Sequence, residues 1–297
     1  MLGAVEESGA EALAELGPGA TAGFAAALVA VGLFALPLRQ AILRRLLHKG
    51  EPAPAAFLWE DLFAAFGLFI VVSAFVVPSL GSYWVTGQWL PPEDLAEKLS
   101  SAGFLVQGVL TAIQFLPPCL YLAWLSARRS GVASALGIRA LTPQRVPAGR
   151  SAAAFLSFLF GAPFFFSASL ATAAVYQAQG LEVPVQEVAV AIADEIESSP
   201  WRVAIFAVLI IPFLEEVLFR GFLLELFRSK LGTIAGVAIS SALFAIAHGV
   251  VAAPTIFVLA VVIAMVKLRT RSLYAAWLVH ALNNGTSLVM QQLGMSE

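Results

Sequence analysis

The sequence contains a series of apolar stretches, and each is long enough, or nearly so, to cross a lipid bilayer as a helix. Such a helix needs about 20 mostly apolar residues. The stretches are 21–38, 62–80, 104–125, 152–176, 201–227, 231–251, 255–266 and 274–293. The chain is 60% hydrophobic and only 12% charged, whereas ordinary soluble domains are about 25% charged. The sequence therefore predicts an all-α fold, a polytopic transmembrane helical bundle with about eight spans. The seventh stretch is short, and a tilted, partly buried helix would also explain it.

Basic residues fall almost entirely in the loops that follow odd-numbered spans. They are Arg39, Arg44, Arg45 and Lys49 after the first span, Arg128, Arg129, Arg139, Arg145 and Arg150 after the third, Arg228 and Lys230 after the fifth, and Lys267, Arg269 and Arg271 after the seventh. By the positive-inside rule, these loops are cytoplasmic. We therefore expect a multi-pass protein of the cell membrane with both termini on the extracytoplasmic side. The net charge of -2 gives no indication of a nucleic-acid partner.

Four segments follow one another in this organisation. Residues 1–20 are predicted to form an extracytoplasmic N-terminal segment, 21–180 a set of N-terminal transmembrane helices, 181–200 an amphipathic interfacial segment, and 201–293 a C-terminal transmembrane core. The interfacial segment is predicted because Val185, Val188, Ile192 and Ile196 recur at helical spacing among acidic residues. Cys119 is the only cysteine, which excludes an intrachain disulfide and a cysteine-rich metal site.

The fifth span carries two carboxylates and an arginine within the sequence IIPFLEEVLFRG, residues 210–221. A charge at the centre of a bilayer is unfavourable by about 3 kcal/mol on insertion scales, so these side chains need partners. Glu216 and Arg220 are four residues apart and can pair on one helix face. Glu215 lies about 100° around the helix from Glu216 and must face another partner or a water-filled cavity. Pro212 is expected to kink the helix and open space beside Glu215.

Further polar side chains occur at a similar depth in later spans. Counted from the predicted cytoplasmic ends at 1.5 Å per residue, Glu215, His248, His280 and Asn284 lie roughly 10 to 25 Å into the membrane. His280 and Asn284 are one turn apart and share a face. Three helices can therefore bring one glutamate, two histidines and one asparagine to a common cavity. A buried ion-pair network that only holds helices together would also explain a carboxylate–arginine pair.

Three motifs contain these residues. Residues 215–220 read EExxxR, residues 244–248 read FxxxH, and residues 280–284 read HxxxN. In this order on successive late spans they resemble the motifs of the CPBP family of intramembrane endopeptidases, which includes the type II CAAX prenyl proteases and bacterial abortive-infection proteins. The resemblance covers about residues 200–290, so that the core from 201 to 293 is expected to be the catalytic part.

The resemblance implies hydrolysis of peptide bonds inside the membrane without a serine or cysteine nucleophile. Glu215 is then the general base, and His248 assists it in activating a water molecule. His280 and Asn284 donate hydrogen bonds to the oxyanion, while Glu216 and Arg220 support the site without taking part in the chemistry. The implied partner is a membrane-associated protein or a C-terminal peptide, either prenylated or a leader or sorting sequence. A proton-coupled transporter that uses the Glu/His cluster as a relay and a non-catalytic peptide-binding adaptor are the alternatives.

The same residues raise the question of a metal. Glu215, His248 and His280 would make a common zinc set with water as the fourth ligand, and members of the family are often described as metalloproteases. The chain lacks the HExxH spacing that places two histidines on one helix face. We therefore expect a glutamate-dependent mechanism that requires no cofactor, with zinc held by these three residues as the alternative.

Overall fold

The computed structural model describes residues 56–88, 103–129, 131–137, 148–178, 192, 195–196, 198–249 and 251–292. Contacts divide the chain into two units. One is Pro52–Gly285, and the other comprises Met1–Glu51 and Thr286–Glu297, of which only residues 286–292 are described. The predicted first span, 21–38, and most of the predicted interfacial segment, 181–200, lie outside the described residues.

Eight helices occur in this part of the chain, and they are numbered here in chain order. They are α1 (Trp59–Thr86), α2 (Phe104–Arg128), α3 (Val132–Leu136), α4 (Ala148–Ala178), α5 (residues 200–231), α6 (Thr233–Ala247), α7 (Ala253–Thr270) and α8 (Leu273–Gln292). Wide π-helical turns interrupt α1 at Val72–Val76 and α5 at Ala204–Ile210 and Val217–Leu223. The predicted all-α fold is confirmed.

Four of the described helices are long and apolar enough to cross a membrane: Trp59–Thr86, Phe104–Arg128, Ala154–Ala178 and Ala253–Thr270. They coincide with the predicted second, third, fourth and seventh spans, and the stretch predicted as the short seventh span forms a helix of 18 residues. Large side chains such as Phe63, 74% exposed, and Phe75, 68% exposed, lie on the outside of α1. Lipid tails solvate such side chains without the penalty that water imposes, so the protein is a multi-pass membrane protein.

The predicted fifth, sixth and eighth spans form helices of a different character. Helix α5 covers the fifth span but carries the charges, and α8 covers the eighth but carries His280 and both asparagines. The apolar helix α6 has 15 residues, or about 22 Å, which is shorter than a hydrocarbon core of about 30 Å. The count of eight spans therefore stays a prediction, whereas four of the described helices are long and apolar enough to cross a membrane.

Helix ends that the sequence places on one side of the membrane are in contact. Asp61 at the start of α1 forms an ion pair with Arg129, directly after α2. Lys267, near the end of α7, donates a hydrogen bond of 2.7 Å to the Ala135 carbonyl in α3 and forms an ion pair with Glu225 in the last part of α5. The start of α1 and the ends of α2, α5 and α7 thus lie together. These are the ends next to the four basic loops, and which face of the membrane they occupy stays a prediction.

Apolar clusters hold the described helices together. The larger one joins α5 to α1, α2, α3 and α6 through side chains such as Leu214, Phe222, Leu122 and Phe244. The smaller one joins α4, α7 and α8. Because α5 packs on several neighbours, its polar side chains at positions 216 and 220 are buried inside protein and are not exposed to lipid.

Candidate active site

Glu215 lies between two histidines that come from other helices. Its Oε1 is 3.9 Å from Nε2 of His248, and its Oε2 is 3.7 Å from Nε2 of His280. The Glu215 side chain is 12% exposed, that of His248 27%, and that of His280 3%. Both distances exceed those of direct hydrogen bonds and suit groups that share a water molecule. The structure therefore brings together three of the four residues that the sequence indicates for catalysis.

His248 is held by its own helix end. It lies in the turn that ends α6, and its Nδ1 is 2.8 Å from the carbonyl oxygen of Phe244. A carbonyl oxygen only accepts, so Nδ1 carries the proton and, in the neutral ring, Nε2 is an acceptor. The ring of Phe244 packs on both histidines, with centroid distances of 4.4 Å to His248 and 5.6 Å to His280. Phe244 therefore fixes the orientation of both imidazole rings.

Glu216 connects the site to a cation. Its Oε1 is 2.9 Å from Nδ1 of His280, and its Oε2 is 3.3 Å from Nε of Arg220. The structure contains the Glu216–Arg220 ion pair that the spacing predicts, with both side chains fully or almost fully buried. The bond to His280 was not predicted, because it depends on how α5 and α8 are rotated against each other, and a single helix pattern does not encode that rotation.

Arg220 links three helices at the base of the site. Its guanidinium carbon is 4.1 Å from the centre of the Phe244 ring on α6, and its Nη2 donates to the Ala260 carbonyl of α7 at 3.4 Å. With Glu216 on α5, these contacts surround the guanidinium group with one carboxylate, one aromatic face and one carbonyl. Arg220 thus stabilises the packing that places the histidines beside Glu215.

Asn284 has a separate attachment one turn beyond His280. Its Nδ2 donates a hydrogen bond of 2.8 Å to the Ala207 carbonyl of α5, and its Oδ1 is 3.4 Å from Nδ2 of Asn283. The amide is therefore bound to the backbone of α5 through one of its two N–H groups. Its role as an oxyanion donor stays a prediction. In that role, the donor is the second N–H group of the amide.

The backbone of α5 explains how Glu215 is presented. The α-helical piece Ile211–Glu216 lies between the π-helical pieces Ala204–Ile210 and Val217–Leu223. Where the sequence leads us to expect a kink at Pro212, the structure has wide turns on both sides of a short regular segment. Such turns accommodate a proline ring and are frequent at functional sites.

Glu215, His248 and His280 are also the side chains that would have to hold a metal ion at this site. Among the described residues, which include Glu215, His248 and His280, no three His, Cys, Asp or Glu side chains are arranged so that they could hold one. Nδ1 of each histidine already has a protein partner, so only the two Nε2 atoms face Glu215. As the structure places them, these three side chains are therefore not arranged around a metal position, and independence from a metal stays a prediction.

Comparison with known protein families matches residues 197–286 to the family described as Type II CAAX prenyl endopeptidase Rce1-like. The matched segment contains all six polar residues of the site and its surroundings: Glu215, Glu216, Arg220, His248, His280 and Asn284. No curated protein and no solved structure matches the chain. The residues before 197 lie outside the family match.

Proposed function

Because residues 197–286 form a domain of the type II CAAX prenyl endopeptidase family, a family of peptidases, we propose that this membrane protein is an intramembrane endopeptidase. It hydrolyses peptide bonds in membrane-associated proteins or in C-terminal peptides. One observation carries the proposal. The two carboxylate oxygens of Glu215 each face Nε2 of a histidine from another helix, at 3.9 and 3.7 Å.

Water activation follows from the hydrogen-bonding character of these atoms. An ionised Glu215 only accepts, and Nε2 of neutral His248 also accepts. One water molecule can donate a hydrogen to each, which satisfies both groups and directs its oxygen lone pairs away from them. Glu215 then takes a proton as the water attacks the scissile carbonyl. A general base within hydrogen-bond reach of the proton raises the rate by about 10²–10⁴-fold.

The oxyanion is assigned to His280 and Asn284. For His280 to donate from Nε2, both ring nitrogens must carry protons, and the structure has a carboxylate beside each of them, Glu216 at Nδ1 and Glu215 near Nε2. Asn284 contributes the N–H group that Ala207 does not occupy. Two such donors stabilise charge that develops only in the transition state, which is the condition for raising the rate.

Substrate class and orientation complete the proposal. The site lies on helices within the membrane, so a peptide reaches it from a membrane-embedded or membrane-anchored segment. We propose a C-terminal substrate, with a prenylated CAAX peptide as the first probe, and no requirement for a metal cofactor. Both termini of the enzyme lie on the extracytoplasmic side.

The test uses the full-length protein in detergent and in liposomes. We expect wild-type protein, but not Glu215→Gln, to release the three C-terminal residues of a farnesylated CAAX peptide. A parallel mass-spectrometric comparison of membranes that contain either form identifies C-termini made only by the wild type, whatever the substrate. Proton-driven solute uptake that Glu215→Gln abolishes, without any new C-terminus, would instead establish the transporter function.

A further inference from the structure

Two side chains of α8 donate hydrogen bonds to the backbone of the π-helical segment Ala204–Ile210 in α5. Asn284 Nδ2 donates to the Ala207 carbonyl at 2.8 Å, and Trp277 Nε1 donates to the Leu209 carbonyl at 3.0 Å. Carbonyls in the interior of a helix normally accept from an N–H group further along the same helix. The hydrogen bond that Ala207 accepts from another helix therefore calls for a local cause.

Pro212 is that cause. In a π-helical turn the N–H group of residue i bonds to the carbonyl of residue i−5, and the N–H group of Ile211 bonds to the Phe206 carbonyl in this register. The next pair in the same register joins residue 212 to the carbonyl of Ala207. Residue 212 is a proline and has no N–H group. The Ala207 carbonyl is thus left without its helical donor, and the amide of Asn284 takes that place.

We propose that Pro212 is a positioning residue for Asn284. Because Pro212 has no N–H group, the Ala207 carbonyl can accept a hydrogen bond from α8. A carbonyl only accepts, so it holds the nitrogen of the Asn284 amide and turns the amide oxygen away. One N–H group is bound in this way, and the second has a fixed direction as an oxyanion donor. The catalytic consequence rests on the proposed function. The exchange of hydrogen-bond donors at the Ala207 carbonyl, from the N–H group of residue 212 to the amide of Asn284, does not.

The exchange is tested first by thermal stability, which needs no substrate. In the protein that retains Pro212, Asn284→Ala leaves the part-buried Ala207 carbonyl without a donor, and we expect the melting temperature to fall by about 3 °C or more. In the Pro212→Ala protein, the N–H group of residue 212 serves the same carbonyl. There, Asn284→Ala should lower the melting temperature by less than half as much. Equal losses in the two backgrounds would overturn the proposal.

A matched control shows that the exchange is local. Trp277→Phe removes the hydrogen bond from Trp277 Nε1 to the Leu209 carbonyl, and its effect on the melting temperature should be equal in the wild-type and Pro212→Ala backgrounds. Pro163→Ala, which changes a proline inside α4, should leave the effect of Asn284→Ala unaltered. A Pro163 variant that reproduces the exchange would show that prolines act on general helix stability and would contradict the proposal.

The catalytic consequence is tested with the farnesylated CAAX peptide. Pro212→Ala should lower kcat by about 10- to 100-fold, which is less than the loss of about 10²–10³ expected when a donor is removed, with KM changed by less than about twofold. Replacing Pro212 by lactic acid, the α-hydroxy analogue of alanine, removes the N–H group again without the proline ring. That ester variant should recover most of the wild-type kcat, and an ester variant as slow as Pro212→Ala would overturn the positioning role.

The two proposals fail in different ways. If the wild type cleaves the peptide and Pro212→Ala cleaves equally well, the role of Pro212 is wrong and the peptidase function stands. If the wild type generates no new C-terminus in peptide or membranes, the proposed function is wrong, and the stability cycle alone still decides whether Pro212 directs Asn284 to Ala207.

Discussion

Oε1 of Glu216 lies 2.9 Å from Nδ1 of His280, so a fully buried carboxylate on α5 holds a histidine on α8. The other oxygen of Glu216 lies 3.3 Å from Nε of Arg220. Because an ionised carboxylate only accepts, Nδ1 of His280 carries a proton and Nε2 faces Glu215. Glu216 therefore acts on the site through His280, and its ion pair with Arg220 keeps it in place.

The first prediction separates packing from chemistry in this chain of contacts. Arg220→Ala leaves Glu216 as a buried charge without its cation. Removing one partner of a buried ion pair lowers the free energy of unfolding by about 3–5 kcal/mol. Replacing both partners, as in Glu216→Gln with Arg220→Met, removes the unpaired charge and should recover much of that stability. The double variant should nevertheless cleave poorly, because His280 has lost the charge of its partner. Thermal melting and cleavage rates of the single and double variants are the measurement.

A control for this prediction is the ion pair between Glu195 and Arg202, whose side chains are 15% and 37% exposed. This pair is less buried than Glu216–Arg220, and pairs at the surface contribute about 0–1 kcal/mol, so Arg202→Ala should lower the melting temperature less than Arg220→Ala. Equal losses at the two positions, or a fully active double variant, would contradict the role assigned to Glu216 and Arg220.

The second prediction concerns Glu215. Glu215→Gln keeps the size of the side chain but cannot take a proton, so peptide cleavage should be abolished. The melting temperature should change little, because the contacts of Glu215 to the histidines, 3.7 and 3.9 Å, are too long for direct hydrogen bonds. His248→Ala should also abolish cleavage while leaving a folded protein. Glu60→Gln, at an exposed position of α1, is the matched control and should cleave normally. Normal cleavage by folded Glu215→Gln would refute the mechanism.

Much of this site follows from spacing and depth alone. The distance of four residues predicts the Glu216–Arg220 pair, and the depths of Glu215, His248 and His280 predict that they can meet. The bond from Glu216 to His280 and the attachment of Asn284 to Ala207 depend on the relative rotation of α5 and α8. A π-helical turn has no characteristic amino-acid composition. In the sequence of α5, only Pro212, which lies between the two π-helical segments, indicates irregular backbone. Hydrophobicity likewise locates α6 but does not show that the helix has only 15 residues.

The third prediction concerns the oxyanion donors. His280→Ala and Asn284→Ala should each lower kcat by about 10²–10³, because each removes one donor to charge that develops in the transition state. Residual activity should therefore remain measurable in a sensitive assay, unlike that of Glu215→Gln. Asn283→Ala removes the contact of 3.4 Å to Asn284 but leaves the Asn284 amide in place, and it should have a smaller effect. A loss confined to KM in Asn284→Ala would point to a role in substrate binding and would contradict the oxyanion assignment.

The fourth prediction concerns metal dependence. The described residues offer no set of three side chains arranged to hold a metal ion, and the proposed chemistry needs none. Cleavage should therefore survive dialysis against a strong chelator, and added zinc should give no increase. The metal content of the purified protein is measured alongside. Loss of activity that zinc alone restores would reverse the mechanism and make Glu215, His248 and His280 metal ligands.

The fifth prediction concerns orientation in the membrane. In a background with Cys119→Ala, which removes the only cysteine, single cysteines are introduced at the two ends of α5 as Ser198→Cys and Lys230→Cys, both exposed positions, and at the C-terminus as Glu297→Cys. The basic loops next to α2, α5 and α7 are predicted to be cytoplasmic. A membrane-impermeant maleimide should therefore label Ser198→Cys and Glu297→Cys in intact cells, and Lys230→Cys only after the cells are permeabilised. Two other labelling patterns would contradict this topology. Labelling of Lys230→Cys and Glu297→Cys from the same side would mean that one of the predicted sixth to eighth spans does not cross. The short helix α6 would then be the first candidate. The reverse pattern at all three positions would invert the orientation but leave the alternation of the helices intact, because the contacts between Asp61 and Arg129 and between Lys267 and Ala135 already place those helix ends together.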